Sequence, residues 1–275
     1  MNAFYKDKKE YAVSTFTFEH EGAEEALSAI AGQGFPSVEL WGDTVHFDPR
    51  VEPDLLKTRR LLRDLDLSVH SLHTPFRNFP LFSNPAEGEA WRLDLWKRSL
   101  DICAELDVPI AVVHALNRVE YNYGYDRIGY VKGLLDTLAR YAHARGVKLA
   151  LENIPSGSAG GDEILCTLTE QTRLFGDVEH LYWCLDIGHV TLTQNNMESE
   201  IDRSMDRLVT FHIHNNDGVT DRHDTPDEGV IDWPKWHDYL RGKGYAGQFV
   251  LEIYCGDDPR EQLRKLASLF APGTR

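Results

Sequence analysis

Short apolar runs alternate with longer amphipathic segments along the whole chain. The runs are YAVSTFTF (11–18), SVELW (37–41), LSVHSLH (67–73), IAVVHAL (110–116), VKLALEN (147–153), LYWCLDI (181–187), LVTFHIH (208–214) and FVLEIY (249–254). Their length and β-branched content predict strands. The intervening segments 22–33, 52–65, 86–107, 126–145, 232–243 and 258–271 carry apolar residues at three-to-four spacing, as do 161–175 and 198–206 on a weaker pattern. In 86–107, Trp96, Leu100, Cys103 and Leu106 share one helical face. Eight strands alternating with helices predict an α/β fold, a single (β/α)8 barrel over 1–275. The structural rival is a doubly wound open sheet, but no GxGxxG follows the first run.

A barrel builds its chemistry at the carboxyl ends of its strands, and here those ends are polar. The second run carries Glu39, the third His73 and the fourth His114. The fifth carries Glu152, the sixth Asp186 with His189 three residues on, the seventh His212 and His214, and the eighth Glu252. A buried carboxylate is costly unless compensated, and a bound cation compensates it. Imidazole mixed with carboxylate suits Mn2+, Co2+, Zn2+ or Fe2+.

Bland readings compete. A lone strand-end histidine is more often a hydrogen-bonded core residue than a ligand, and His70 is read that way. Three residues separate His70 from His73, so a regular strand turns them to opposite faces, with His73 inward. Glu39 could simply pair with a neighbouring base. His20, His46, His143, His180 and His237 lack a strand-end context and are expected at the surface.

The stretch FHIHNNDGVTDRHD (211–224) concentrates this chemistry. His212 and His214 are two apart and point the same way on a strand. Asp221 and His223 repeat that spacing in the following loop, where the competing reading is a solvated charged loop. Asp232 is a candidate helix N-cap, with Trp233, Trp236 and Tyr239 facing inward.

The chain has 275 residues, with 29 Lys and Arg against 44 Asp and Glu, a formal charge of −15. Few arginines fall in the predicted loops; Arg77, Arg118 and Arg222 are the candidates. Such a surface is a poor match for nucleic acid, even with three divalent ions bound. Cys103, Cys166, Cys184 and Cys255 form no CxxC, so disulfides are not expected. The start, MNAFYKDKKE, has no apolar signal region, and no apolar run is long enough to span a bilayer. These features predict a cytoplasmic protein with no membrane partner; homo-oligomerisation is left open.

SVELW, SLHTPF, LENIP, LDIGHV, HIHNNDG and GVIDW resemble, in order, the strand-end motifs of the xylose isomerase-like TIM-barrel superfamily. In its sugar isomerase and epimerase branch, the resemblance implies one divalent metal on Glu152, Asp186, His212 and Glu252, with His214 the alternative histidine. It also implies Glu152 and Glu252 as the acid–base pair, moving a proton through a metal-bound enediolate. The substrate would be a sugar, sugar acid, inositol-derived ketose or sugar phosphate. Glu39, Trp41, His73, His189, His214 and Arg222 are candidates for substrate contact, and Trp41, Phe76 and Tyr254 for stacking walls.

The superfamily's endonuclease IV branch holds three zinc ions. His73, His114, His189, Asp221 and His223 match its additional ligand positions, and DRH matches its order. VVHALN lacks that branch's Pro-Gly, and Asn215 stands where an Asp is usual. The leading expectation is therefore a metal-dependent sugar isomerase or epimerase, with one ion and up to three. A multinuclear zinc phosphoesterase is the first alternative and a non-catalytic metal- or sugar-binding barrel the second.

Overall fold

Strand pairing runs in sequence order and closes on itself. A computed structural model describes residues 7–43, 45–80, 82–115, 127–155, 167–175, 177–254, 256 and 258–270. The strands are β1 (Tyr11–Ser14), β2 (Ser37–Trp41), β3 (Ser68–His73), β4 (Ile110–Val113), β5 (Lys148–Glu152), β6 (Leu181–Asp186), β7 (Leu208–Ile213) and β8 (Phe249–Leu251). Each pairs in parallel with the next, and β1 pairs with β8. The (β/α)8 barrel predicted from periodicity is therefore the fold, and the open-sheet rival is excluded.

The helices are α1 (Ala23–Gly32), α2 (Leu55–Asp64), α3 (Pro85–Glu105), α4 (Arg127–His143), α5 (Leu168–Phe175), α6 (Ile187–Leu192), α7 (Met197–Ser204), α8 (Trp233–Gly242) and α9 (Pro259–Ser268). Asp54, Asn84, Asp186, Asn196, Asp232 and Asp258 cap α2, α3, α6, α7, α8 and α9 through their side chains. Part of the predicted segment 161–175 lies outside the described residues. No described helix is long and apolar enough to cross a membrane.

Strand alternation separates two apolar layers. Leu40, Leu72, Ala111, Val113, Leu149, Leu151, Trp183, Phe211 and Leu251 face the helices in one continuous core. Ile110, Val112, Ala150 and Cys184 form a small second cluster, with Val209 packed against it. This is the barrel interior, and it is thin because the upper interior positions are polar.

The first predicted strand ends early. Ser14 Oγ accepts from Phe16 N, and Thr15–Phe18 winds into a 3-10 turn. This carries Phe16 to the barrel mouth. His46, expected at the surface, is 2% exposed. Its ring contacts Thr15 Oγ1 at 3.1 Å, Phe18 O at 3.1 Å and Glu21 O at 3.0 Å, so burial leaves neither nitrogen unpaired. His237 is also half-buried, against Glu10 at 3.1 Å.

His70 and His73 do not face opposite ways. Val38 pairs with Val69 but Glu39 pairs with Ser71, so His70 is an extra residue on β3. Val209 is extra on β7 in the same manner, between Leu208 and Thr210. A bulge cancels the alternation, and both histidines turn into the barrel. His70 Nε2 lies 3.0 Å from Thr210 Oγ1, spanning the interior from β3 to β7. Burial pushes the His70 ring down to about 4, so it is neutral at pH 7. Thr210→Val leaves that ring unpaired and should cost roughly 1–3 kcal/mol in urea unfolding. An unchanged midpoint would show that the cross-barrel bond contributes nothing.

Candidate metal centre

Glu39 is wholly buried. Its Oε2 accepts from Ser71 Oγ at 2.8 Å and from His212 Nε2 at 3.0 Å. An ionised carboxylate only accepts, so Nε2 carries the proton in that bond. His212 Nδ1 is left facing upward, 3.3 Å from Glu252 Oε2 and 3.4 Å from Glu152 Oε1, without the alignment of a hydrogen bond. Glu39, a candidate for substrate contact by its strand-end position, is instead beneath the site and holds an imidazole.

The same orientation recurs in three other rings. His73 Nδ1 is 2.9 Å from Thr74 O, His189 Nδ1 2.8 Å from Asn153 O, and His223 Nδ1 2.8 Å from Glu252 O. Each ring spends one nitrogen on a backbone carbonyl. The other is turned to a carboxylate: His73 Nε2 to Glu152 at 3.1 Å, His189 Nε2 to Asp221 at 3.5 Å and His223 Nε2 to Asp221 at 3.4 Å. Metal-binding histidines are characteristically oriented this way.

Four groups of donors result among the described residues, each with its ligand atoms within 4.8 Å of one another; one, Glu152, Cys184 and His212, includes a thiol that burial holds protonated, and the other three are carboxylate and imidazole only. Of those three, the first is Glu152, Asp186, His212 and Glu252, the second His73, His114 and Glu152, and the third His189, His214, Asp221 and His223. The two histidines left as alternatives by the sequence thus fall in different groups. Asp186 Oδ2, His212 Nδ1, both His214 ring nitrogens and Asp221 Oδ1 are buried and make no hydrogen bond. Such buried orphan atoms are rare unless something binds them. The donor set fits divalent ions: oxygen-rich in the first group, imidazole-rich in the third.

Glu152 is the hub. Its Oε2 lies 3.1 Å from His73 and 3.3 Å from His114, and its Oε1 3.4 Å from His189 and from His212. Burial works to raise this carboxyl, but the His212, His114 and His189 rings outweigh it and hold it well below the usual range. For Glu252, burial is likewise outweighed, chiefly by His212, and its carboxyl sits at about 2. Against their own desolvation, neighbouring carboxylates raise His73 and drive His189 well up, while His223 reaches about 9. His114 moves the other way, because burial outweighs its one close carboxylate.

Several residues that no sequence argument singled out set this geometry. Asn153 exchanges two bonds with the Asp186 backbone, at 2.8 and 3.0 Å, locking the end of β5 to the end of β6. Its position directly after Glu152 was the available signal. Gly188 is required by contact: a Cβ there would lie 2.0 Å from His214 Cε1. The His214 ring occupies that space and stacks on His223, ring centroids 3.8 Å apart. Asn215 faces the loop instead of the donors. Its amide donates to Pro226 O and Ile231 O, at 2.9 and 3.0 Å, which an Asp could not do. Asn215, standing where an Asp is usual, therefore ties this loop together through bonds a carboxylate could not donate.

The remaining candidates frame the mouth. Trp41 is buried, with its ring 5.0 Å from His73 and 5.5 Å from Phe76. Phe76 packs 4.2 Å from His114, and Tyr254 is exposed. Arg222 turns to Asp224 at 2.9 Å and Asp217 at 3.7 Å. No described contact joins it to the donor groups. Arg118 lies outside the described residues.

Comparison with known proteins finds the same fold and a shared family. Fructoselysine 3-epimerase of Escherichia coli O157:H7 is 23% identical over 255 residues, covering 90% of this chain and 92% of its own. Among solved structures, a D-tagatose 3-epimerase-like protein superposes with a TM-score of 0.78 at 20% identity, covering 93% of this chain and 94% of its own. The 3-keto-D-glucoside 4-epimerase of E. coli superposes at 0.74 and 20% identity, covering 94% and 98%. Residues 27–272 match the family described as Xylose isomerase-like TIM barrel, and the chain belongs to that family.

Proposed function

We propose that this chain is a divalent-metal-dependent isomerase or epimerase of a sugar or sugar derivative. The observation that carries the reading is the convergence of Glu152 and Glu252 on His212 Nδ1, at 3.4 and 3.3 Å, with Asp186 completing the group. That the similar proteins include sugar epimerases supports the same reaction class.

Glu152, Asp186, His212 and Glu252 would hold the ion, which would draw electron density from a substrate carbonyl oxygen and acidify the adjacent C–H. The chain's own groups then move the proton. One of the two glutamates, ionised because the surrounding imidazoles favour its carboxylate, removes the proton from the carbon next to the carbonyl. The other takes a proton from solvent before turnover and donates it, so the two carboxyls exchange protonation states in each cycle. Return to the same carbon from the opposite face inverts it; return to the former carbonyl carbon, with a hydroxyl proton passing between the two oxygens, isomerises the sugar. Glu39 acts through His212, fixing its ring.

A second reading is favoured by the donor groups standing together: a multinuclear zinc phosphoesterase, in which an attacking water would need an open coordination position. His214 adds a fourth protein donor to the third group, which fits a filled shell better than an open one.

Elemental analysis of protein purified without chelator or metal-affinity tag separates the readings. About one ion per chain, with solvent deuterium entering ketoses in heavy water, supports the isomerase or epimerase. Two or three zinc ions with hydrolysis of a phosphodiester would replace it. Glu152→Gln should abolish exchange while the protein stays folded by circular dichroism; wild-type turnover in that variant would remove Glu152 from the acid–base role. Glu39→Gln, which keeps the shape but not the charge under His212, should weaken metal affinity by about ten- to a hundredfold in a chelator competition titration. Unchanged affinity would leave Glu39 a purely structural residue.

The raised imidazoles fix a pH dependence. His223 sits at about 9 against an ordinary 6.5. Its proton therefore stabilises the metal-free fold fully below about 6.5, and that contribution is lost as pH rises through 9. A metal displaces such protons, so its own stabilisation grows over the same range. Melting temperature should fall from pH 6.5 to 9 in excess chelator, and the increment given by added Mn2+ or Zn2+ should rise. Parallel profiles with and without metal would contradict this.

A further inference from the structure

The mouth of the barrel is divided. Its ionic side is built by β6, β7 and the loop after β7. The other side is a band of aromatic rings: Phe16 stands 4.7 Å from Trp41, Trp41 5.5 Å from Phe76, and Phe76 4.2 Å from His114. The Arg77 guanidinium lies over Phe16, Trp41 and Phe76 at once, at 5.5, 5.3 and 5.1 Å from their centroids. Its Nη1 donates to Glu19 Oε2 at 2.8 Å, and 39% of its side chain stays exposed.

This segment is pinned on both edges. Asp43, itself buried, accepts from Arg77 N at 2.9 Å and Phe76 N at 3.3 Å. Arg50 bonds Asp43 at 2.7 Å and donates to Arg77 O at 3.1 Å and Asn78 O at 3.2 Å. A loop whose amides and carbonyls are both held presents its side chains in one fixed arrangement, the condition for selective binding. A cleft of about 260 Å3, lined by Phe16, Thr17, Glu19 and Tyr254 among others, opens beside the pair.

We infer that the substrate is an unphosphorylated sugar, and that the Arg77–Glu19 pair above the Phe16, Trp41 and Phe76 rings reads the hydroxyls of its end remote from the reacting carbon. The inference rests on the isomerase or epimerase reading and narrows its substrate class. A hydroxyl both donates and accepts, and here a guanidinium and a carboxylate stand side by side to serve it. Phe16 and Trp41 are buried beneath the guanidinium and support it, while the partly exposed Phe76 suits the C–H side of a sugar ring. A phosphate only accepts, and an arginine already paired with a carboxylate serves it poorly. Among the described residues Arg50, Arg77, Arg222 and Arg260 are each bonded to a carboxylate. Glu19 and the net charge of −15 add repulsion. Asp43 and Arg50 are positioning residues that act through Phe76 and Arg77.

The test pairs D-fructose and L-ribulose with D-fructose 6-phosphate and L-ribulose 5-phosphate, using Mn2+-loaded protein. Solvent deuterium incorporation gives kcat and KM, and calorimetry gives binding. The free sugars should exceed their phosphate esters at least tenfold in kcat/KM. Arg77→Ala should lower kcat/KM for the free sugars at least tenfold, with the loss mainly in KM. Arg77→Lys, which keeps a cation over the rings without the planar fork, should recover only part of it. Asp43→Asn should show the same KM-weighted loss. Preference for the phosphate esters, or free-sugar affinity in Arg77→Ala equal to wild type, overturns the inference and leaves the isomerase or epimerase reading standing. If no ketose exchanges deuterium, that reading fails and calorimetry decides the inference alone. Tighter binding of free sugars than esters, weakened by Arg77→Ala, upholds it; any other binding result, including none, overturns it.

Discussion

The Glu152 carboxylate is the constraint around which this barrel is organised. It is buried at the top of the interior, where an ion without partners is prohibitively costly. Four imidazoles, from β3, the end of β4, α6 and β7, approach its two oxygens. Its backbone carbonyl is held in turn by Gln171 at 2.7 Å. One carboxylate thus belongs to three of the four donor groups and stands next to the other, and the elements carrying those histidines must converge at one height. Bulges at His70 and Val209 contribute to that convergence by resetting β3 and β7 relative to their neighbours.

Aiming the imidazoles is the second task, and most of the loop architecture performs it. Thr74, Asn153 and Glu252 supply carbonyls and Glu39 a carboxylate, so that four rings keep one nitrogen for the centre. Asn215 knits the loop after β7 to its own far end, and that loop delivers Asp221 and His223. His223 takes a left-handed backbone, φ 52°, to do so. That conformation is uncommon outside glycine and asparagine, and sites that must fix a side chain are where such strain is found.

Strand-end carboxylates and histidines were legible in the sequence because parallel strands buried on both faces leave few reasons for a charge. The pattern placed Glu152, Asp186, His212 and Glu252 among its strand-end candidates, the family resemblance singled them out as one set, and they do meet. What could not be read was anything decided by register. Period-two reasoning put His70 and His73 on opposite faces, and a single extra residue on β3 undid it. His46 looked like a surface residue because the carbonyls that bury it come from a distant turn. Glu39 looked like a contact for a ligand because its depth is set by the pairing of β2 with β3. Gly188 carried no chemistry of its own, and its meaning comes entirely from the ring of His214 lying against it.

Charge balance ties the number of bound ions to the protonation of the same cluster. Glu39, Glu152, Asp186, Asp221 and Glu252 place five carboxylates at one end of the barrel, four of them fully buried. One divalent ion in the first group would neutralise two of those charges and would require His212 to be neutral at Nδ1. The three that remain match His73, His189 and His223, the other rings whose surroundings favour the imidazolium. A second ion in the third group would expel the protons of His189 and His223 and bring the same positive charge by other means. One-ion and two-ion centres are therefore nearly isoelectronic in this fold, and the choice between them is an exchange of two protons for one cation. Low pH favours the single ion with charged rings, and high pH favours the filled third group. Under the proposed function, the composition of the site would follow from how many positive charges four buried carboxylates and the partly exposed Asp221 demand, and histidines suit that demand because only they can supply it in either form.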